Sequence, residues 1–449
     1  MESSKQASQA ISKYIKHYEG LSYDRELVKQ HQHRIRRDAN PNKQDLHLDF
    51  SAFQREFHLR LTPDVNNGFT EDFKVQSENE SQMVDLSHIY SGVLEDDSKS
   101  SCQGSVLEGQ FEGSITTSNG TFYVEPIERY KTTHSDHHSI IYHEDDVGVS
   151  RSLAGVQAGP RDHGWDSSVT VVFQEVSCSL LVHDRHSVSS GYGLVQDYGY
   201  LGIISSQVLD RINAHNFHLF GGRIEKADVN HLLIFSLDAF FDLQQIPVSR
   251  SKRKVDQSKT SCLLHLHTDH RYYKRFGSIE AIVAQVASYM KAVNDVYDKA
   301  NFDGIELINF KVKFLTVITE EDPSSPISVT HVGPEKLLSL FSETNWNDFC
   351  LSYLLTDRDF SGVLGLAWEG KADNWGGICS KMILKSGRNC SHNTGLVTLQ
   401  TYGHYLSTKH VHLTFAHELG HSLGAPVSLM PLFTVIASWI KSPTFGLQI

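Results

Sequence analysis

The sequence predicts an α+β protein: a β-rich N-terminal half followed by an α/β domain that closes on a histidine-bearing helix. Three observations lead there. Leu46, Leu48 and Phe50 alternate with polar residues, and Phe57, Leu59 and Leu61 do so again, the period of half-buried strands. From Ser278 the period lengthens, because Ile279, Ile282, Val283, Val286, Met290, Val293 and Tyr297 recur at three- and four-residue steps. Strands and helices then alternate toward a last helix, the order of a single α/β domain.

Within the N-terminal half, 11–148, a second hairpin is expected at SITTSNGTFYV, with Asn119-Gly120 as a type I′ turn. Residues 149–249 mix Gly- and Ser-rich pieces with apolar ones and carry no motif. A polar linker with Arg250, Lys252 and Arg253 follows. Exposed polar loops are where chains are nicked, so this suits a dibasic processing protease; a solvated charge run and a nuclear-import patch stay open. Arg34, Arg36 and Arg37 form a second candidate of the same kind.

The C-terminal part reads as a strand over 261–268 and then the helix capped by Ser278. A strand through Ile308, Phe310, Val312 and Phe314 comes next. Pro334 opens a helix through Leu337, Leu338 and Phe341. Strands follow at 351–355, 363–368 and 396–400 before the final helix, which Gly424 ends.

Composition narrows the class. The hydrophobic fraction of 39% and charged fraction of 21% are those of a folded domain. A net charge of -12 with only short basic clusters disfavours nucleic acid as a partner. Six cysteines are too few for a disulfide scaffold. Sequons at Asn79, Asn119 and Asn389 lean toward secretion, yet the first twenty residues hold no apolar h-region of a signal peptide. The apolar run at 425–440 holds two prolines and falls short of the roughly 20 residues a membrane helix needs.

The chemistry concentrates in the last helix, VHLTFAHELGHSL. There His417 and His421 stand one turn apart on one face and can share a Zn²⁺ ion. Glu418 lies beside the first of them, placed to take a proton from a metal-bound water. Hydrolysis needs a third protein ligand, and beyond His421 there is no His, Asp, Glu or Cys. Upstream, His404, His410 and His412 precede the pair and would need a fold-back to reach it. The expectation is therefore a zinc site with one ligand missing. A second histidine cluster, His134 to His143, is expected to bind no metal, because His138 and His143 fall on opposite faces of a strand.

HELGHSLG with Pro426 and the Arg250-x-Lys252-Arg253 junction are joined by further stretches: IKHYEGLSY at 15–23, FEG at 111–113, TFYVEP at 121–126, IYHEDD at 141–146, LTDRDF at 355–360, VLGLAW at 363–368, GGIC at 376–379 and TFAHE at 414–418. Together these resemble the ADAM metalloproteases of the metzincin clan, in the Kuzbanian or alpha-secretase type that sheds cell-surface proteins including Notch. The resemblance implies a domain map: a β-rich inhibitory prodomain at 11–148, a divergent insertion at 149–249, a processing site at 250–253, an incomplete metzincin-like α/β zinc-protease domain at 254–426, and a divergent apolar tail at 427–449. It implies zinc on His417 and His421, with Glu418 as general base. Substrate would pair along Val363, Leu364, Gly365, Leu366, Ala367 and Trp368 by strand addition. Cys262 and Cys350 would form a disulfide, and a proprotein convertase would cut after Arg253. The substrates would be membrane proteins, met in the secretory pathway or at the cell surface.

The departures are specific. The family's third histidine falls at Val427, and Met430 comes too soon for the methionine turn. Cys379 loses its downstream partner, for which Cys390 is a substitute. The leader lacks a cysteine in 147–177, and Cys178 sits in unfamiliar sequence. No disintegrin domain or membrane span follows, so a truncated proenzyme with read-through or altered splicing is expected. The rival reading is a catalytically inactive pseudoprotease or decoy.

Overall fold

The computed structural model describes residues 11–37, 45–64, 68–77, 80–130, 136–148, 261–300, 306–370, 376–385 and 387–425, with the backbone of 192–197 and 200–205. Arg250, Lys252 and Arg253, where processing is expected, together with Asn79, Cys178, Val427, Met430 and the tail, lie outside the described residues. One compact unit comprises Met1–Leu181 with Lys252–Ile449, and a second comprises Val182–Ser251.

In chain order the first unit opens with β1 (Glu19–Leu21), α1 (Arg25–Arg37), β2 (Leu46–Ala52), β3 (Arg55–Pro63), β4 (Phe69–Ser77), β5 (Glu80–Gln82), β6 (Ile89–Leu94), β7 (Asp97–Leu107), β8 (Gln110–Thr117), β9 (Gly120–Pro126) and β10 (Ser139–His143). The second unit contributes an antiparallel hairpin, β11 (Tyr192–Asp197) with β12 (Tyr200–Ser205). Then follow β13 (Ser261–Thr268), α2 (His270–Phe276), α3 (Ile279–Tyr297), β14 (Asn309–Val317), α4 (Pro334–Phe341), β15 (Leu351–Asp359), β16 (Gly365–Ala367), β17 (Ile383–Lys385), β18 (Arg388–Cys390), β19 (Thr394–Thr401), β20 (His404–Tyr405) and α5 (Thr408–Ser422).

The N-terminal sheet is antiparallel, in the order β1-β10-β9-β8-β7-β6-β3-β2. The period-two pattern sets its register: Leu46, Leu48 and Phe50 pair with Leu61, Leu59 and Phe57, and all six are buried. Helix α1 covers this core with Val28, Gln32 and Ile35, one face of the helix. Its last turn holds Arg34, Arg36 and Arg37, so that second basic run is helical rather than the extended loop a processing protease needs.

The hairpin turns correct the sequence reading. Thr117 pairs with Gly120, so Ser118 and Asn119 are the central residues. Neither has positive φ, only Gly120 after them does (111°), and the turn is not type I′. Both central residues are left-handed instead at Phe53 (φ 51°) and Gln54 (φ 59°), between β2 and β3. Tertiary contacts hold Phe53 there: its N–H donates to Glu19 Oε2 at 2.7 Å, and its ring meets Phe122 and His17.

The second sheet runs β16-β19-β15-β13-β14-β4-β5, with β20 beside β19. Strands β14, β13, β15 and β19 are parallel and β16 is antiparallel to β19. Alternate side chains go to opposite faces, as they must in a strand. Leu351, Tyr353 and Leu355 join α3 and α5 in one core, whereas Leu354 joins α4, Phe360 and Trp368 in another. Ser278 Oγ accepts from Ala281 N at 3.1 Å and starts α3. A disulfide links Cys262 on β13 to Cys350 at the foot of β15, with Cα atoms 5.4 Å apart.

Candidate active site

Every residue of helix α5 from His410 to Ser422 except Leu413 is buried, so its polar groups call for protein partners. Its first turn is bound by residues of the N-terminal half. Ser407 Oγ turns to His410 Nδ1 at 2.7 Å instead of capping the helix. The backbone N–H of Thr408 donates to Glu125 Oε1 at 3.0 Å, and Lys409 Nζ reaches Glu144. Glu125, 1% exposed, also accepts from the hydroxyls of Tyr130 and Tyr142. Beside it Arg129 faces both oxygens of Glu112, and Glu112 Oε1 also accepts from Gln285 Nε2 of α3 at 2.7 Å. A leader carboxylate at a helix N-terminus satisfies an orphan donor and opposes the helix dipole.

At the other end of α5 the imidazoles of His417 and His421 converge. Their Nε2 atoms are 2.9 Å apart, with the rings at 88°. His421 Nδ1 lies 2.8 Å from the carbonyl of Ala425, which only accepts, so Nδ1 carries the proton and Nε2 presents a lone pair. The remaining contact is then an N–H of His417 donating to His421. Burial, with His421 adding to it, holds His417 down at about 2, and burial lowers His421 as well. Both rings stay neutral, the form that ligates metal.

Glu418 stands on the same turn, fully buried, and neither carboxylate oxygen has a hydrogen-bond partner. Desolvation pushes its pKa well above the usual carboxylate range. Two convergent imidazoles beside an orphaned carboxylate fit the chemistry of a zinc ion with its water: two ligands and a proton acceptor. Among the described residues no third His, Cys, Asp or Glu completes a cluster. His410 is engaged with Ser407, His412 Nε2 sits 3.0 Å from Ser288 Oγ, and His404 packs against Tyr14. In the leader, His138 bonds Tyr23 N and His143 bonds Asp145 N, so these two do not converge.

Strand β16 lies at the end of the sheet, beside this turn. Gly365, Leu366 and Ala367 pair with Val397, Leu396 and Gly395. Leu364 accepts from Thr398 N at 2.9 Å, Val363 N donates back to Phe360, and Trp368 Nε1 donates to Ser342 Oγ at 3.0 Å. Leu364, Leu366, Ala367 and Trp368 are buried, which anchors the strand, while among the described residues its outer backbone edge takes no partner strand. Cys379 is a free exposed thiol, so it is not joined to Cys390.

Several supports carried no local signal. Tyr297 donates to the carbonyl of Ala416 at 2.8 Å, Tyr353 meets Ser422 Oγ at 2.8 Å, and Ile378 N closes the carbonyl of Ser422. These come from α3, β15 and a loop, far apart in the chain. Only Ser422, directly after the second histidine, hinted at a polar contact there.

The family pattern described as Reprolysin_5, Metallo-peptidase family M12, matches residues 258–426. Disintegrin and metalloproteinase domain-containing protein 10 of Homo sapiens is 38% identical over 93% of this chain and 49% of its own length. The chain belongs to the ADAM family of metalloproteases. It spans about half the length of the curated relatives it matches. The Caenorhabditis elegans homolog of that protein is 27% identical, again over 93% of this chain and 44% of its own. Among solved structures, metalloproteinase-II from Bacteroides fragilis is 11% identical, with a TM-score of 0.32 over 87% of this chain and 85% of that one. A likeness so weak adds nothing to the assignment. No helix among the described residues of this ADAM chain is long and apolar enough to cross a membrane.

Proposed function

We propose that the chain is the proenzyme of a zinc-dependent metalloendopeptidase of the membrane-protein sheddase type. The observation that carries this is the 2.9 Å convergence of His417 and His421 beside the unpartnered carboxylate of Glu418. His417 and His421 would hold the ion. When bound, zinc supplies Lewis acidity, lowering the pKa of its water from 15.7 to roughly 7 and polarising a carbonyl. Glu418 accepts the proton of the attacking water and returns it to the leaving amine. Extended substrate adds to the outer edge of β16 through Val363, Leu364, Gly365, Leu366, Ala367 and Trp368, main chain to main chain. Residues 11–253 act as an inhibitory leader removed by a proprotein convertase after Arg253, and the substrates are the stalks of membrane proteins, Notch-type receptors among them.

A second reading follows from the two-donor set seen among the described residues: a pseudoprotease or decoy that captures substrate on the β16 edge without cutting it. Two measurements on convertase-processed protein separate the readings, metal content by mass spectrometry and cleavage of a quenched stalk peptide. The enzyme reading expects one zinc per chain, retained in Glu418→Gln while cleavage is abolished. Zinc-free protein that still binds the peptide supports the decoy, and hydrolysis that survives Glu418→Gln sinks the proposed mechanism.

A further inference from the structure

Strand β4 belongs by position to the leader, yet it leaves the leader sheet and pairs in parallel with β14 of the protease region. Lys74, Val75, Gln76 and Ser77 stand opposite Phe314, Leu315, Thr316 and Val317, and Val312 N donates to Gly68 O at 2.7 Å. Phe69, Phe73 and Val75 are buried in the same core as Leu315, Met290 and Val293. The rings of Phe69 and Phe73 lie 4.3 Å apart. Gly68, at φ +89°, lies so close to Met290 that a Cβ there would be 2.4 Å from Met290 Cβ. Asp72 reaches across to Lys313 at 3.6 Å. Without β4, β14 would be an edge strand with open N–H and C=O groups and an uncovered apolar flank.

We propose that the outer edge of β14 is a strand-accepting site of the protease region, at the opposite end of the sheet from β16. Its occupant is the leader segment Phe69–Ser77, which stays seated after the chain is cut between leader and protease. The site takes an extended peptide running parallel to β14, with apolar side chains at the positions of Phe69, Phe73 and Val75. Backbone pairing supplies attachment and the buried rings supply register. Cutting the linker therefore does not open this edge; β4 has to be stripped from it.

The inference rests on the reading that the chain is divided near 250–253. Its test replaces that stretch with the site of a sequence-specific laboratory protease, so convertase recognition does not enter. The full chain is cut, and hydrogen exchange is followed at Val312, whose N–H is held by Gly68. The expected result is co-elution of the two fragments with Val312 exchanging as slowly as in the uncut chain. Phe73→Asp and, separately, Gly68→Ala should speed Val312 exchange at least ten-fold in the cut protein. Fast exchange in the wild-type cut complex overturns the proposal even if the fragments stay together through Glu125 and Arg129. If Phe73→Asp does not fold, the Gly68→Ala and wild-type arms decide. Resistance of the unaltered chain to a convertase would instead refute the processing reading and leave the Val312 result untouched.

Discussion

Gly365 and Glu418 are in such close apposition that a Cβ on Gly365 would lie 2.6 Å from the Glu418 side chain. The edge strand and the catalytic-type helix thus meet where one has no side chain and the other has a carboxylate. Gly365→Ala should displace that carboxylate while leaving the β16–β19 pairing intact. A shift near 1 Å can cost about 100-fold in rate. Peptide hydrolysis should drop by at least about ten-fold, with unchanged zinc content and circular dichroism. Unaltered turnover in that variant would mean Glu418 does not need its observed position.

The leader carboxylate at the start of α5 predicts a stability effect outside the site. Glu125→Ala removes the acceptor shared by Thr408 N–H, Tyr130 and Tyr142. Leaving buried donors unsatisfied costs about 1–3 kcal/mol each, and this variant should lose at least about 2 kcal/mol in urea unfolding of the intact chain. Arg129→Ala should cost about 1–3 kcal/mol, because the half-buried Glu112 loses its charge partner and keeps only the Gln285 hydrogen bond.

His412 predicts an acid limit. It is 7% exposed, and burial alone lowers it to about 3. A histidine held neutral in the fold but titrating near 6.5 when unfolded binds more protons in the unfolded state between those values. Its stabilising contribution is therefore complete above about pH 6.5 and is lost as pH falls toward 3. The urea midpoint should drop between pH 7 and pH 4.5, by about 2 kcal/mol of stability from this group. His412→Gln, which can still bond Ser288, should shrink that drop.

Breaking the disulfide should act through the unfolded chain. Cys262 and Cys350 close a loop with a sequence separation of 88. Loop entropy alone puts the contribution at about 4–5 kcal/mol, with 2–5 kcal/mol typical of measured removals. The Cys262→Ser/Cys350→Ser double variant should lower the thermal midpoint without altering zinc content, since the bridge joins β13 to the start of β15 and neither cysteine is one of the candidate ligands.

Much of the molecule was legible where short-range periodicity and local chemistry agree. The Leu46 to Leu61 alternation, the Ser278 cap, Pro334 at a first helical position and the HELGH turn all describe interactions within a few residues. Each was found where its pattern placed it. The turns show the limit: Asn119-Gly120 has the composition of a type I′ turn, but Phe53-Gln54 takes the left-handed pair, because Glu19 and two aromatic rings hold it there.

The sequence by itself determined the β2–β3 alternation, helices α3, α4 and α5, the one-turn spacing of His417, Glu418 and His421, and the family of the chain, since these depend on neighbours along the backbone; α1 and α2 were not read from it. Only the tertiary structure decided which sheet β4 joins, which carboxylate caps α5, and how Gly365 makes room for Glu418. Period two marks a strand but not its partner, and a buried carboxylate is assigned by distance in space. Those pairings are set by hydrogen bonds and packing between residues far apart in the chain, and no local pattern encodes them.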